Sequence, residues 1–287
     1  MTASFDSRRL ARYRFANRVQ AGLLVVGIAL LLVLIADLLA GTVGVVASIA
    51  LALAMLLFAP RATPGLIARL FRARPLAPFR FPALFGVLDD LVGRAGLAAR
   101  PTVFVTPHAE PLAFSFGTAA KPAIALSAGA MEALDLRRLS GVLAHEIAHL
   151  AAGDVAIMMV SEVLARLIRT LALFGLLVAA VQALLGEAVV PGSTVLLLAA
   201  IPIASALLQL ALSRNREFDA DQGAVELTGD PEGLARALEA IELEQAILWR
   251  RLLWPYVRGN VPRLLRTHPT TGERIARLEA LLGARRG

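Results

Sequence analysis

Four long apolar stretches constrain this chain more than any other feature, because such runs bury their backbone polar groups in a bilayer only as helices. Residues 21–40, AGLLVVGIALLLVLIADLLA, carry one charge, at Asp37, and residues 43–59, VGVVASIALALAMLLFA, carry none. Together they predict a transmembrane hairpin over residues 1–60. A cleaved signal peptide is the competing reading of the first stretch; its length and the second stretch close behind it argue against removal. Two further stretches, roughly residues 170–190 and 194–212, are divided by Pro191-Gly192. They predict a second, membrane-associated hairpin over residues 155–212, the alternative being a helical pair packed within the fold or dipping only partly into lipid. Gln182, Pro202 and Gln209 fall in these two stretches and are tolerated where helices cover one another. Composition agrees, since 57% of residues are hydrophobic and 18% are charged. The mean hydropathy is +0.69, well toward the apolar end for a chain of this size.

Arginines set the expected orientation. Arg8, Arg9, Arg12, Arg14 and Arg18 precede the first stretch, and Arg61, Arg69, Arg72, Arg74 and Arg80 follow the second, while the short connection between the stretches has no Lys or Arg. Positive charge stays on the cytoplasmic side, so both ends of the first hairpin face the cytoplasm. Arg166, Arg169, Arg214 and Arg216 flank the second hairpin, whose Gly186–Ser193 connection also lacks basic residues and places Glu187 at the far interface. The net charge of +7 belongs largely to these flanks, which makes it a feature of the bilayer surface and not a nucleic-acid footprint.

Between the hairpins lies Leu143-Ala144-His145-Glu146-Ile147-Ala148-His149. Leu136, Leu139, Val142, Leu143, Ile147 and Leu150 recur at three- and four-residue intervals, with Asp135 as N-cap and Gly153 as stop, so the segment reads as an amphipathic helix. On one face of it His145 and His149 project together, the spacing with which two imidazoles grip a metal ion. Glu146 lies about a hundred degrees round, placed to act as a base and not as a ligand. A catalytic zinc takes three protein ligands and keeps a fourth position open, so another ligand must come from elsewhere. The chain has no cysteine. His108 reads as a surface residue, and the carboxylates of Ser213–Asp221 are the better source. Glu217 and Asp221 share one helical face, which suits a ligand carboxylate followed by one that orients a ligand imidazole. A solvated, charged helix end is the alternative for that pair. Asp154 reads as a group that supports the helix end or a ligand, without a catalytic role.

The three motifs HEIAHLAAGD, SRNREFDAD and THPTTGERI, spread along a membrane-embedded chain of this length, resemble those of the HtpX-like membrane zinc metalloproteases, relatives of the CAAX prenyl endopeptidases. The resemblance covers nearly the whole chain. It implies one zinc ion held by His145, His149 and Glu217, Glu146 as catalytic base, Asp221 supporting a ligand, and His268 near the metal, where it would stabilise an oxyanion or occupy the open position at rest. The substrate class it implies is misfolded or damaged membrane proteins. Leu112, where such chains commonly have Asn, and Phe218, in place of a frequent Tyr, depart from the pattern without touching a ligand.

Residues 82–135 read as short elements of a small sheet in front of the zinc helix, with strands at Thr102–Val105 and Ala123–Leu126 and an edge at Ala113–Phe116. Asp230-Pro231 opens a helix to about residue 253, and Thr270 with Glu273 forms a capping box for a final helix, near which Arg274 could steady the site or pair with a carboxylate. The expected fold is mainly α with a small β-sheet: a membrane-integral, zincin-like metalloprotease with about four transmembrane helices. Its catalytic domain comes in two parts, residues 61–154 and 213–287. The expected function is a zinc-dependent endopeptidase in the cell (inner) membrane, multi-pass, with a cytoplasmic active site acting on protein or peptide substrates. A narrow-specificity processing peptidase of the CAAX prenyl type and a catalytically silent membrane scaffold are the alternatives. Nothing in the pattern specifies an oligomeric state.

Overall fold

The structure is a computed structural model describing residues 7–58, 69, 71–186, 190–252 and 271–283. The chain clusters into two compact units, one from residues 1–10, 62–155 and 216–287 and the other from residues 11–61 and 156–215.

The second unit is helical. Helix α1, Ser7–Phe58, leaves helical geometry at Ala40 and at Gly41, where φ is +56°. Glycine suits that left-handed position because a side chain would collide with the following carbonyl. A Cβ on Gly44 would stand 2.4 Å from the carbonyl oxygen of Ala36, whereas eight residues of straight helix rise about 12 Å. The chain therefore doubles back here, between the two apolar stretches. Helix α5, Asp154–Leu184, and helix α6, Gly192–Thr228, with α1 over Val19–Met55, are the three described helices long and apolar enough to cross a membrane. Ile28, Leu32, Ile35, Ala52, Leu164, Ile168, Leu198 and Ile201 form their buried seam. Gly175 lets the helices approach closely, since a Cβ there would meet Leu39 at 2.7 Å and Leu198 at 3.0 Å. On the outside stand Leu23, Leu30, Val43, Leu57, Leu173, Leu177, Leu196 and Ile203, all exposed. An apolar exterior around an apolar seam is what lipid, not water, accommodates.

The other unit builds a four-stranded sheet. Strands β1 (Arg74–Pro75), β2 (Thr102–Thr106), β3 (Ala113–Thr118) and β4 (Lys121–Ser127) lie in the order β1-β2-β4-β3. β2 runs parallel to β4, and β3 pairs antiparallel with β4, Phe114 opposite Ala125. Ala113–Phe116 does lie on an edge strand. Ile124, Leu126 and Val103 face a core shared with the helices, while Phe104, Phe114 and Phe116 form an aromatic layer with Ala123 and Ala125. Residues 82–95 correct the reading as short sheet elements: they form helix α2, Pro82–Ala95, which buries Leu84, Phe85, Leu88 and Leu91. Pro82 stands in its first turn, and Gly96 ends it in left-handed conformation at φ +65°, both ordinary helix boundary signals. Prolines on either side of the segment read equally well as loop punctuation.

A short helix α3, Ala128–Ala133, leads into α4, Leu136–Ala152. Asp135 caps α4, its carboxylate accepting the Arg138 amide at 2.8 Å. Gly153 ends the helix at φ +76°. Both are the residue types that satisfy free backbone groups at helix ends. Helix α7, Pro231–Leu252, packs on α4 through Leu234 and Ala237, and α8, Thr271–Gly283, adds Leu278 to the same core. Gly141 admits the α7 backbone, since a Cβ there would lie 3.0 Å from the Cα of Leu234.

Candidate active site

Both histidines of α4 are nearly buried, and each has one ring nitrogen held by a carboxylate. His145 Nδ1 lies 3.0 Å from Asp221 Oδ1, and His149 Nδ1 lies 2.8 Å from Asp154 Oδ2. Each carboxylate accepts a hydrogen bond from the Nδ1–H that faces it, which turns Nε2 toward the other members of the cluster. The two Nε2 atoms are 3.1 Å apart. Glu217, carried in by α6, brings Oε2 to 3.5 Å from His145 Nε2 and Oε1 to 3.8 Å from His149 Nε2.

These three side chains form a group able to hold a metal ion, with ligand atoms all within 4.8 Å of one another. Donors arranged tetrahedrally around zinc at its usual distances stand about 3.4 Å apart. The separations between the donor atoms of this cluster fall on both sides of that value. Two imidazoles with one carboxylate are also a donor set that zinc accepts. The residues fit the ion.

A glycine-controlled approach makes this convergence possible. A Cβ on Gly223 would meet the Cβ of Ala148 at 2.7 Å, so α6 crosses α4 one residue from His149 with no side chain between. Asp221 and Glu217 are then one helical turn apart on the face turned toward α4.

Behind the carboxylates stand arginines. Arg274 of α8 donates from Nε to Asp221 Oδ2 at 2.7 Å, and its Nη1 lies 3.3 Å from Glu217 Oε2. It therefore pairs with two carboxylates of the cluster. Arg216 donates from Nη1 to Asp154 Oδ1 at 2.8 Å and also pairs with Asp219. In sequence Arg216 reads as a flanking charge of the second hairpin. Its side chain is only 4% exposed and is paired with buried acids, so it is a structural cation and not part of the charged flank. The i,i+3 spacing of Arg216 and Asp219 signals that local pair, but neither the burial nor the pairing with Asp154.

Burial pulls the His145 imidazole toward neutrality, but the Asp221 and Glu217 carboxylates override it and push its pKa up to about 10, as opposite charges at hydrogen-bond distance do. A proton thus serves, without metal, the role that a cation would fill. Glu146 is buried beside this group and contributes to the field at Arg274. His268, Thr270 and Glu187 lie outside the described residues. His108 is exposed, with its ring 6.3 Å from that of Phe71.

The family model for Peptidase family M48 matches residues 78–282, a span that holds every residue of the cluster. The chain belongs to peptidase family M48. Curated relatives within it include a protease HtpX homolog of Ralstonia nicotianae, 32% identical over 91% of this chain and 96% of its own length. Another from Burkholderia ambifaria is 33% identical over the same shares, and one from Kineococcus radiotolerans is 36% identical over 77% of this chain and 81% of its own. Among solved structures, Ste24p of S. mikatae shares the fold, with a TM-score of 0.58 at 20% identity. The likeness covers 94% of this chain and 66% of that one. The HtpX-like resemblance of the three motifs is thereby established, and this M48 member is a protease whose long apolar helices fit a membrane protein.

Proposed function

We propose that the chain is a membrane-integral zinc endopeptidase that hydrolyses peptide bonds of misfolded or damaged membrane proteins on the cytoplasmic side of the cell (inner) membrane. The observation that carries the reading is the meeting of His145 Nε2, His149 Nε2 and Glu217, with each imidazole held from behind by a carboxylate. His145, His149 and Glu217 hold the zinc, and Asp221 and Asp154 keep both imidazoles in the tautomer that binds it. When bound, zinc supplies Lewis acidity, polarising the scissile carbonyl and lowering the pKa of water toward ~7. Glu146 accepts the proton of the attacking water and delivers it to the leaving amine. Arg274 holds Asp221 and thereby His145. The resemblance of the THPTTGERI motif gives His268 the role of stabilising the oxyanion or of occupying the open metal position at rest.

The edge strand β3 supports the substrate part of this reading. Its outer side has no strand partner among the described residues, and an extended peptide can add there as a fifth strand, fixed by backbone hydrogen bonds and not by sequence. Such recognition suits unfolded segments of many proteins. The cytoplasmic location rests on the arginines around the first hairpin.

The test is cleavage of an unfolded model substrate by detergent-purified protein loaded with zinc, beside the Glu146→Gln variant at the same zinc content. Cleavage by the parent alone supports both the base and the protease reading. If both bind one zinc and neither cleaves, the protein is either self-inhibited or narrowly specific, and broad quality-control proteolysis loses its support.

A further inference from the structure

The catalytic unit carries an unusual stretch just after the first apolar hairpin. Between Asp37 and Asp89 the sequence has no acidic residue, yet it holds five arginines. Within it, Phe71-Arg72-Ala73-Arg74-Pro75-Leu76-Ala77-Pro78-Phe79-Arg80-Phe81 interleaves arginine with phenylalanine. Phe79 is 80% exposed, and Phe71 and Phe81 are 37% and 38% exposed. Leaving a phenylalanine so open to water forfeits the burial that normally places it inside.

Local geometry holds the display in place. Pro78–Arg80 forms a short 3₁₀ turn, and the Arg80 guanidinium stands 5.9 Å from the centre of the Phe79 ring. Arg72 takes the left-handed conformation at φ +51° and turns the chain into β1, a strained choice for arginine. Phe71 anchors the start of the segment on Phe114, ring centres 5.0 Å apart. Arg72, Arg74 and Arg80 are exposed, and among the described residues none has a carboxylate partner.

The contrast within the same unit is Leu243, also 62% exposed. It sits between Glu242 and Glu244, a setting that anionic surfaces repel. Phe79 sits in a run, residues 38–88, that has no acidic residue. Twelve residues separate Phe58, the end of α1, from Phe71. That tether spans at most about 45 Å. Chain length alone keeps Phe71 within that distance of Phe58.

From these observations we infer that Phe71–Phe81 docks the catalytic unit on an anionic lipid surface, Phe79 and Phe81 entering the acyl boundary while Arg72, Arg74 and Arg80 meet headgroup phosphates. Exposed phenylalanine beside basic residues is the pattern of an interfacial anchor, with arginine stems lying along the apolar layer and charges in the headgroups. Docking would hold the protease site against the surface from which membrane-protein segments emerge. The inference rests on the membrane reading and not on the peptidase chemistry.

The chain has no cysteine, so Phe79→Cys gives one labelling site in it. A nitroxide there is compared with one at Leu243→Cys, in nanodiscs of phosphatidylcholine alone and with phosphatidylglycerol, by accessibility to oxygen against a water-soluble nickel chelate. The expected result is lipid-like accessibility at position 79, strongest with phosphatidylglycerol, and water-like accessibility at 243. Arg72→Gln, Arg74→Gln and Arg80→Gln should each lower the docked-to-free ratio about fivefold in anionic discs. Water-like accessibility at 79 in anionic discs overturns the inference. So does protection that appears only on adding an unfolded polypeptide, or that ignores both lipid charge and the arginines. The readout needs neither zinc nor cleavage, so its failure is distinguishable from failure of the protease reading.

Discussion

Each imidazole of the cluster offers Nδ1 to a carboxylate and Nε2 to its neighbours, so Asp154 and Asp221 fix which nitrogen faces the cluster before any ion arrives. Arg216 fixes Asp154 as Arg274 fixes Asp221, giving two chains of histidine, carboxylate and arginine. Asp154→Asn removes the acceptor charge on His149 and should weaken zinc affinity about 10- to 100-fold with the fold retained, as measured by chelator competition. Unchanged affinity would mean that Asp154 serves only the helix junction. The pKa of His145, pushed up to about 10, makes a second expectation. At about pH 7.5 the metal-free imidazole is charged, so zinc must displace its proton, and calorimetry in buffers of different ionisation enthalpy should register close to one proton released per ion. The folded pKa lies above the ordinary value near 6.5, so this proton stabilises the metal-free protein fully below about pH 6.5. That stabilisation is lost as pH rises toward 10. Thermal melting of metal-free protein should therefore decline over that window, from this group, while zinc-loaded protein is spared the decline. The pairing of His145 with His149 is legible from i,i+4 spacing alone. The role of Arg216 is not, because one arginine in a basic flank looks the same in sequence whether it meets water or a buried acid.

Helix crossings decide whether these residues meet. Glu217 reaches the histidines of α4 because Gly223 leaves no side chain where the two helices touch at Ala148. Gly223→Val should push α6 away from α4 and reduce zinc content severalfold, while Gly272→Ala, at an open position, should leave it unchanged. Equal zinc content in parent and Gly223→Val would show that the ligands adjust without the close crossing. At the start of α4, Asp135→Ala removes the cap on the Arg138 amide. That loss should cost about 1 kcal/mol of stability, read from thermal unfolding. The caps of α4 are visible in sequence because they depend on residues within one turn of the helix end. Helix α2 is harder to read although its apolar spacing is regular, since prolines beside it signal turns and first helical turns equally well.

On the scale of the whole molecule, the proposed zinc ligands come from two segments separated in sequence by α5 and the apolar part of α6. Two crossings or none, but not one, keep them on one side of a membrane. With no native cysteine, single cysteines at Thr42 and Ser193 should react with an impermeant maleimide added outside intact cells, and cysteines at Asp135 and Glu232 only after permeabilisation. Reaction at Asp135 from outside would invert the proposed orientation. Sequence by itself determined the apolar helices, the point near Gly41 where the first of them turns back, the shared helical face of His145 and His149 on α4 and the edge placement of Ala113–Phe116. Each depends on local periodicity, length or a single conformationally free residue, which the order of residues encodes directly. Only the tertiary structure decided that Asp154 orients His149, that Arg216 is a buried partner of it, and that Arg274 bridges Asp221 and Glu217. The arginine pairings join residues 53 to 62 positions apart and depend on which helices lie side by side. Adjacency of that kind follows from how whole surfaces fit together, with small residues such as Gly223 and Gly141 permitting the approach, and no local pattern specifies it.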